Sequence, residues 1–525
     1  MPQMISTPTP HQRAIFDHVT RGTRNLIVQA VAGSGKTSTI VHAMALLPAD
    51  ETAVYLVFNK RNQVEAEERL RGTNVKALTF NSLGFRALGR GYTLDADKSR
   101  TAWRAMLDAR FMSEDDAKAL AGFCRRLVDL ARQVGIGIIV NDTAEEWFDL
   151  CAEHDLSPDP RKDRREDEDD LERGVTLARE LLRRMVDMAA RERVIDFADQ
   201  IYLPVHPLFR KGVRLPRPDR IFVDEVQDLS PVQVELVAAM MGARVGAKPH
   251  TDQRVVFVGD RWQAIYGWRG AACDAMDRIA ERFGCEELPL SVCWRCAPEI
   301  VALAADEVGA PIEAAPGKSG GEVVRHEDGK PITARVGQVV ICRTTAPLVS
   351  AAYRLIRKGR RAVVLGREIG QGLVALVRKM GCEDADDVDV LRGRLDAWLA
   401  KEMARHADRE HLQQAAQDKA ECLQVLGDML PEGGRTVADL CAAVERLFSN
   451  DQAAGGVTLS TIHKSKGLEW DEVTILDWHK MPAKWASRGW QRRQERHCQY
   501  VAVTRARSRL VLCRAEDFER DETKA

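Results

Sequence analysis

Short apolar runs rich in β-branched residues alternate along the chain with longer stretches of helical periodicity. The first set is "NLIVQA" (25–30), "TAVYLVF" (52–58), "VKALT" (75–79), "RIFV" (220–223) and "RVVFV" (254–258). A second set follows in "GQVVIC" (337–342), "RAVVL" (361–365), "VTLST" (457–461), "EVTIL" (472–476) and "RLVLC" (509–513). Strand runs separated by helical patterns predict parallel sheets with helices on their faces, so two α/β halves are expected. Each half is interrupted. Between about 90 and 195 the strand runs vanish, and "RKDRREDEDDLER" (161–173) reads as a solvated face or loop. Residues about 370 to 455 behave likewise, with "KEMARHADREHLQQAAQDKAECLQVL" reading as an amphipathic helix. The expected organisation is a first domain over 1–285 and a second over 286–525, each carrying a mostly helical insertion.

Composition narrows the class. The 525 residues are 45% hydrophobic and 30% charged, and no apolar run approaches the roughly 18 residues that a membrane span needs. With no basic-then-apolar leader in "MPQMISTPTPHQR", a soluble, cytoplasmic protein is expected. Twelve cysteines without a repeated spacing suit reduced thiols better than a disulfide framework. The one Cys-x-x-Cys, Cys293 to Cys296, has no second pair at zinc-site spacing and is not read as a metal site. A net charge of −1 gives no support for bulk attraction to nucleic acid, so any such binding must come from a local groove.

The strongest chemistry is a phosphate loop. "NLIVQAVAGSGKTSTI" runs from a predicted strand through glycines into a predicted helix, the context in which backbone N–H groups and a helix N-terminus cradle anionic oxygens. The spacing GxxxxGK[ST] is met at Gly35, Lys36 and Thr37, with Ala30 at its first glycine. Ala32, Gly33, Ser34 and Gly35 would wrap the phosphates of ATP, Lys36 would reach the β- and γ-phosphates, and Thr37 would hold Mg²⁺. "RIFVDEVQDLS" delivers Asp224 and Glu225 to a strand tip, where an acid pair can hold Mg²⁺ and polarise an attacking water.

"AVAGSGKT", "DEVQD", "VGDRWQAIYGWRGA", "TLSTIHKSKGLEW" and "QYVAVTRARSRL", in that order, resemble the motif series of superfamily-1 helicases of the UvrD/Rep type. The likeness extends from Gln12 to Arg505 and implies two RecA-like P-loop domains with parallel sheets. It implies that Gln12 recognises adenine and Gln263 senses the γ-phosphate. "CWRCAPEI" resembles the family's "NYRS" segment, which makes Trp294 the ring stacked on adenine and Arg295 a phosphate contact. Glu469 matches a ribose contact and Arg505 a second arginine at the γ-phosphate. ATP would then sit between the halves. Ser38, Asn81 and Trp262 depart from the family's usual residues, and the insertions are short for it.

The same resemblance implies a track for single-stranded DNA. Tyr266 and Trp268 match base-stacking positions, His463 a strand contact in the second half, and Lys60, Thr79 and Ser82 backbone contacts in the first. Aromatic platforms with backbone contacts hold a strand without sequence choice. "KGLEW" after "TIHKS" resembles the 3′-to-5′ branch. The leading expectation is an ATP-dependent helicase acting on single-stranded DNA and duplex junctions, with a protein loading or nuclease partner. The alternatives are a DNA-stimulated motor or switch subunit of a repair, recombination or phage-defence complex, and a P-loop enzyme acting on a small molecule.

Overall fold

The computed structural model describes residues 5–520 apart from 111–113, 155, 157, 159–163, 250, 267–273, 327–328, 407–409, 432–434 and 452–454. The chain divides into two compact units, Met1–Ser291 and Val292–Ala525. Both are α/β with wholly parallel main sheets.

The first sheet contains β1 (Leu26–Ala30), β2 (Ala53–Val57), β3 (Val75–Thr79), β4 (Arg220–Val223), β5 (Arg254–Gly259) and β6 (Glu286–Leu290). Their spatial order is β3-β2-β4-β5-β1-β6. Because β6 pairs with β1 from Leu26↔Glu286 to Ala30↔Leu290, the first unit runs past the 285/286 division drawn from sequence. Strand alternation sorts the apolar side chains onto two faces. Leu26, Val28, Tyr55, Phe222 and Val256 pack with Ile15, Phe16, Ile40 and Met44 of the helices α1 (Pro10–Arg21) and α2 (Lys36–Ala45). On the other face, Ile27, Leu56, Val223 and Phe257 join a core that also holds Trp103, Leu127, Trp147 and Leu181 of the inserted helices. The insertion therefore extends the sheet's own core. Its base is tied by a buried ionic cluster, with Lys98 on Asp199 and Arg132 between Asp196 and Asp199.

The second sheet contains β7 (Glu322–Arg325), β8 (Val339–Cys342), β9 (Ala362–Leu365), β10 (Phe448–Ser449), β11 (Val457–Thr461), β12 (Trp470–Leu476) and β13 (Ala506–Cys513), in the order β7-β13-β12-β8-β11-β9-β10. Val340, Val364 and Leu459 share a core with Leu391, Leu423 and Leu440 of the second insertion. One local expectation changes. The segment from 401 lies on two helices, Val388–Arg405 and Glu410–Asp428. The charged run after 161 enters a long helix, Arg164–Asp187. Among the described residues, no helix is long and apolar enough to cross a membrane.

Candidate functional site

The phosphate loop is built by the change from β1 to α2. Gly33 and Gly35 take φ of 69° and 77°, the left-handed region that glycine enters without a Cβ penalty. Gly35 is the N-cap of α2, and no side chain caps that helix. Its first amides are thus left for an anion, which the dipole also favours. Ser34 is buried with its Oγ lacking a hydrogen-bond partner, an orphaned polar atom that a phosphate oxygen would satisfy. Thr37 is half-buried in the first turn, and Ser38 is exposed.

Lys36 and the strand-tip acids are brought together. Lys36 Nζ donates to Glu225 Oε1 at 2.6 Å and lies 3.7 Å from Asp224 Oδ1. Burial works to lower the ammonium's pKa, but Glu225 and Asp224 together raise it above its ordinary value. Burial raises Asp224's carboxyl, against Lys36's opposing charge. Tyr55, from the neighbouring strand β2, donates its hydroxyl to Asp224 Oδ2 at 2.7 Å. Glu225 sits at φ 52°, an uncommon conformation for a non-glycine residue that turns its side chain out of the strand line.

A relay links these acids to the stretch after β5. Gln227 donates from Nε2 to Glu225 Oε2, and its Oε1 accepts the Asp260 N–H at 3.0 Å. Asp260 in turn accepts Gln263 Nε2 at 2.7 Å and the Trp262 N–H at 3.0 Å. Burial pushes the Asp260 carboxyl up to about 6. A Cβ at Gly259 would stand 2.4 Å from Gln227 Oε1, so glycine leaves room for the relay. Sequence reasoning missed Tyr55, Gln227 and Asp260. The "DEVQD" and "VGDRWQ" stretches contain two of them, but only strand register shows that they meet.

Gln12 is buried, closing a capping box with Thr9 and donating from Nε2 to Thr39 Oγ1 at 3.1 Å. The same Nε2 lies 3.9 Å from where a Cβ on Gly35 would be, so Gln12 is beside the loop. Among the DNA candidates, Lys60 opens the helix after β2 and is exposed, and its Nζ donates to Gln63 at 3.2 Å. Thr79 and Ser82 cap one another at the end of β3. Tyr266 is half-buried. Trp268 lies outside the described residues.

In the second unit a different cluster forms. Trp294 is 48% exposed. Arg295 pairs with Glu469, and Arg507 donates to Glu469 Oε1 at 2.8 Å. Burial alone would raise the Glu469 carboxyl, but the bond from Arg507 and the charge of Arg295 hold it below its ordinary value. Arg505 is fully buried, donating to the carbonyls of Val501 at 2.9 Å and Leu468 at 2.8 Å. Burial, with Arg295 nearby, lowers its pKa to about 10. His463 lies just beyond β11 and lines a cavity of about 1000 Å³ with Arg343, Lys480 and Trp485. Among the described residues no cluster of three or more His, Cys, Asp or Glu side chains could hold a metal by itself. Thr37 and Asp224 instead fit a divalent cation that takes its remaining ligands from a nucleotide and water.

Residues 9–284 match the UvrD/REP helicase N-terminal domain, and 438–517 match the UvrD-like helicase C-terminal domain. The ATP-dependent DNA helicase UvrD2 of Mycobacterium tuberculosis (strain ATCC 25618 / H37Rv) is 26% identical, covering 92% of this chain and 76% of its own. DNA helicase IV of Escherichia coli (strain K12) is 26% identical over 51% of this chain, which spans 42% of that relative's length. The F-box DNA helicase protein 1 of Schizosaccharomyces pombe (strain 972 / ATCC 24843) is 24% identical, with 96% and 57% covered.

Proposed function

Since the chain belongs to the UvrD/REP helicase family, we propose that it is an ATP-dependent DNA helicase moving 3′-to-5′ along single-stranded DNA and opening duplex. The observation that carries the nucleotide half of this reading is the Lys36 ammonium held on Glu225 and Asp224 beside an uncapped helix N-terminus. When phosphates enter, Lys36 exchanges its acid partners for phosphate oxygens. Glu225 is then released to orient a water and accept its proton. Mg²⁺, held through Thr37 and Asp224, would neutralise charge developing on the phosphates. Gln263 reports the state of the γ-phosphate through Asp260 and Gln227. Within the second unit Arg295 and Arg505 are the candidate phosphate contacts, and Arg505 must release its carbonyl partners to serve as one. Gln12 is the adenine candidate of the first unit and Trp294 that of the second, where Glu469 must leave Arg295 before it can meet a ribose.

The DNA half rests on Lys60, Thr79, Ser82, Tyr266, Trp268 and His463, and 3′-to-5′ polarity rests on the resemblance of "KGLEW". A second reading is favoured by the insertions, whose helices share their sheets' cores rather than forming bodies of their own. That suits a DNA-stimulated motor inside a repair, recombination or phage-defence assembly that unwinds little alone. The test is ATP hydrolysis with and without single-stranded DNA, beside Lys36→Ala. The variant should lose turnover and keep DNA binding. Hydrolysis that is indifferent to DNA, or that survives in the variant, would overturn both readings.

A further inference from the structure

The segment assigned to adenine and phosphate is bracketed by two thiols. Cys293 ends a short strand, Val292–Cys293, that pairs with Glu313–Ala314, and Cys296 lies just before the helix Pro298–Asp306. Both are fully buried and unbridged. The Cys296 N–H donates to Cys293 Sγ at 3.3 Å, and Cys296 Sγ points at the Thr504 carbonyl at 3.8 Å. Between them stand Trp294, half exposed, and Arg295, whose Nη1 reaches the same Thr504 carbonyl at 3.4 Å. The Cys296 side chain adjoins Cys293. With the backbone N–H groups of Cys296 and Arg295 and the Arg295 charge, it holds the Cys293 thiol below its ordinary value, against burial. The Cys296 thiol is correspondingly raised. The Cys296 N–H aimed at Cys293 Sγ favours the charged form of that sulfur, so Cys293 is the nucleophile of the pair and Cys296 keeps its proton. In the family's "NYRS" these two positions are asparagine and serine, so the pair is not demanded by the fold.

We propose that Cys293 and Cys296 form a reversible oxidation site, closed to a disulfide by a peroxide, and that closure displaces Arg295 and shuts off nucleotide turnover. The second part rests on the reading of Arg295 as a phosphate contact. Cys293 thiolate attacks one peroxide oxygen, the O–O bond breaks, and hydroxide leaves a sulfenic acid. Cys296 sulfur then attacks Cys293 sulfur, the S–O bond breaks, and the departing hydroxide takes the Cys296 proton as water. The two thiols lose two electrons in total and the peroxide gains two. A disulfide requires its sulfurs at about 2.0 Å, so the hydrogen-bonded pair must close and draw in the turn that carries Arg295. A displacement of about 1 Å in a positioning group can cost about a hundredfold in rate. Because both sulfurs are buried, a small peroxide should act faster than a bulky oxidised tripeptide disulfide.

The test treats the full chain with hydrogen peroxide or with oxidised glutathione, blocks remaining thiols, and maps disulfides by peptide mass spectrometry. DNA-stimulated ATPase is measured before treatment, after it, and after dithiothreitol. Expected are a Cys293–Cys296 bridge formed faster by peroxide, a rate lowered at least about tenfold, and recovery on reduction. Cys296→Ser, or Cys293→Ser should the first fold poorly, should keep its rate through the treatment. Cys285→Ser, at a half-buried unbridged thiol of the first unit outside this pair, should behave like the parent. Absence of that bridge, a bridge without loss of rate, or equal inactivation of the serine variants would overturn the proposal. The peptide map needs no turnover. A reduced protein without ATPase would count against the helicase reading while the map still decides the oxidation site.

Discussion

Replacing Lys36 by methionine removes the ammonium and keeps most of the side-chain volume. Nζ lies 2.6 Å from Glu225 and 3.7 Å from Asp224, so at an effective dielectric of about 20 the gross attractions are about 6 and about 4.5 kcal/mol. Desolvation of the ammonium offsets most of this. Removing one partner from a buried pair costs about 3–5 kcal/mol, because the other charge stays behind. The pH sign comes from Asp224, whose carboxyl burial already raises and Lys36 opposes. Without Lys36 it rises further. A carboxyl raised in the folded state binds protons there more readily than in the unfolded chain, so stability falls as pH climbs from the ordinary carboxylate range through the raised value. Lys36→Met should therefore be about 3–5 kcal/mol less stable than the parent near pH 8, with a smaller deficit near pH 5.5. Urea denaturation read by amide exchange in β1 and β4 isolates the first unit. A deficit under about 1 kcal/mol, the scale of an exposed pair, or one unchanged between the two pH values would refute the reasoning.

Three other outcomes follow from the relay and the track. With the Asp260 carboxyl at about 6, DNA-stimulated ATPase should fall as pH drops through that value, and Asp260→Asn should lack this limb in a pH–rate profile. Gly259→Ala should lower kcat by about tenfold to a hundredfold with little change in KM, because its Cβ would push Gln227 off Asp260 and Glu225. Steady-state kinetics with a normal kcat would remove the relay from the mechanism. Trp268→Ala should weaken single-stranded DNA binding by about 1–3 kcal/mol, the worth of one stacked base, and leave DNA-free hydrolysis intact. Equal loss of both activities would make Trp268 a core residue.

The ten strand runs read from the sequence are all strands, nine of them apolar enough to lie inside a sheet and β3 at an edge. In the two main sheets three described strands escaped that reading, β6, β7 and β10, and all three lie at sheet edges; two-residue strands outside those sheets, such as Val292–Cys293, escaped it too. Edge strands can be short, charged or proline-bearing, as "EELPL" with Pro289 and "EVVR" are. The phosphate loop was legible because glycine spacing and strand-to-helix context are local. Asp224 and Glu225 were legible for the same reason, but Tyr55 meets Asp224 only through the pairing of β2 with β4. The local signals did not show what occupies each candidate. Gln12 caps its helix, Arg505 is spent on carbonyls, and Glu469 is held by two arginines.

The central claim is directional movement on DNA driven by ATP. It is tested most directly by strand displacement on duplexes bearing a single 3′ or 5′ tail, with ATP and Mg²⁺, beside the ATPase rate on the same substrates. The account predicts displacement from the 3′-tailed duplex, none from the 5′-tailed one, and none with Lys36→Ala. Displacement from the 5′ tail would contradict the polarity, and DNA-stimulated hydrolysis with no displacement from either would assign the chain to the motor-subunit reading.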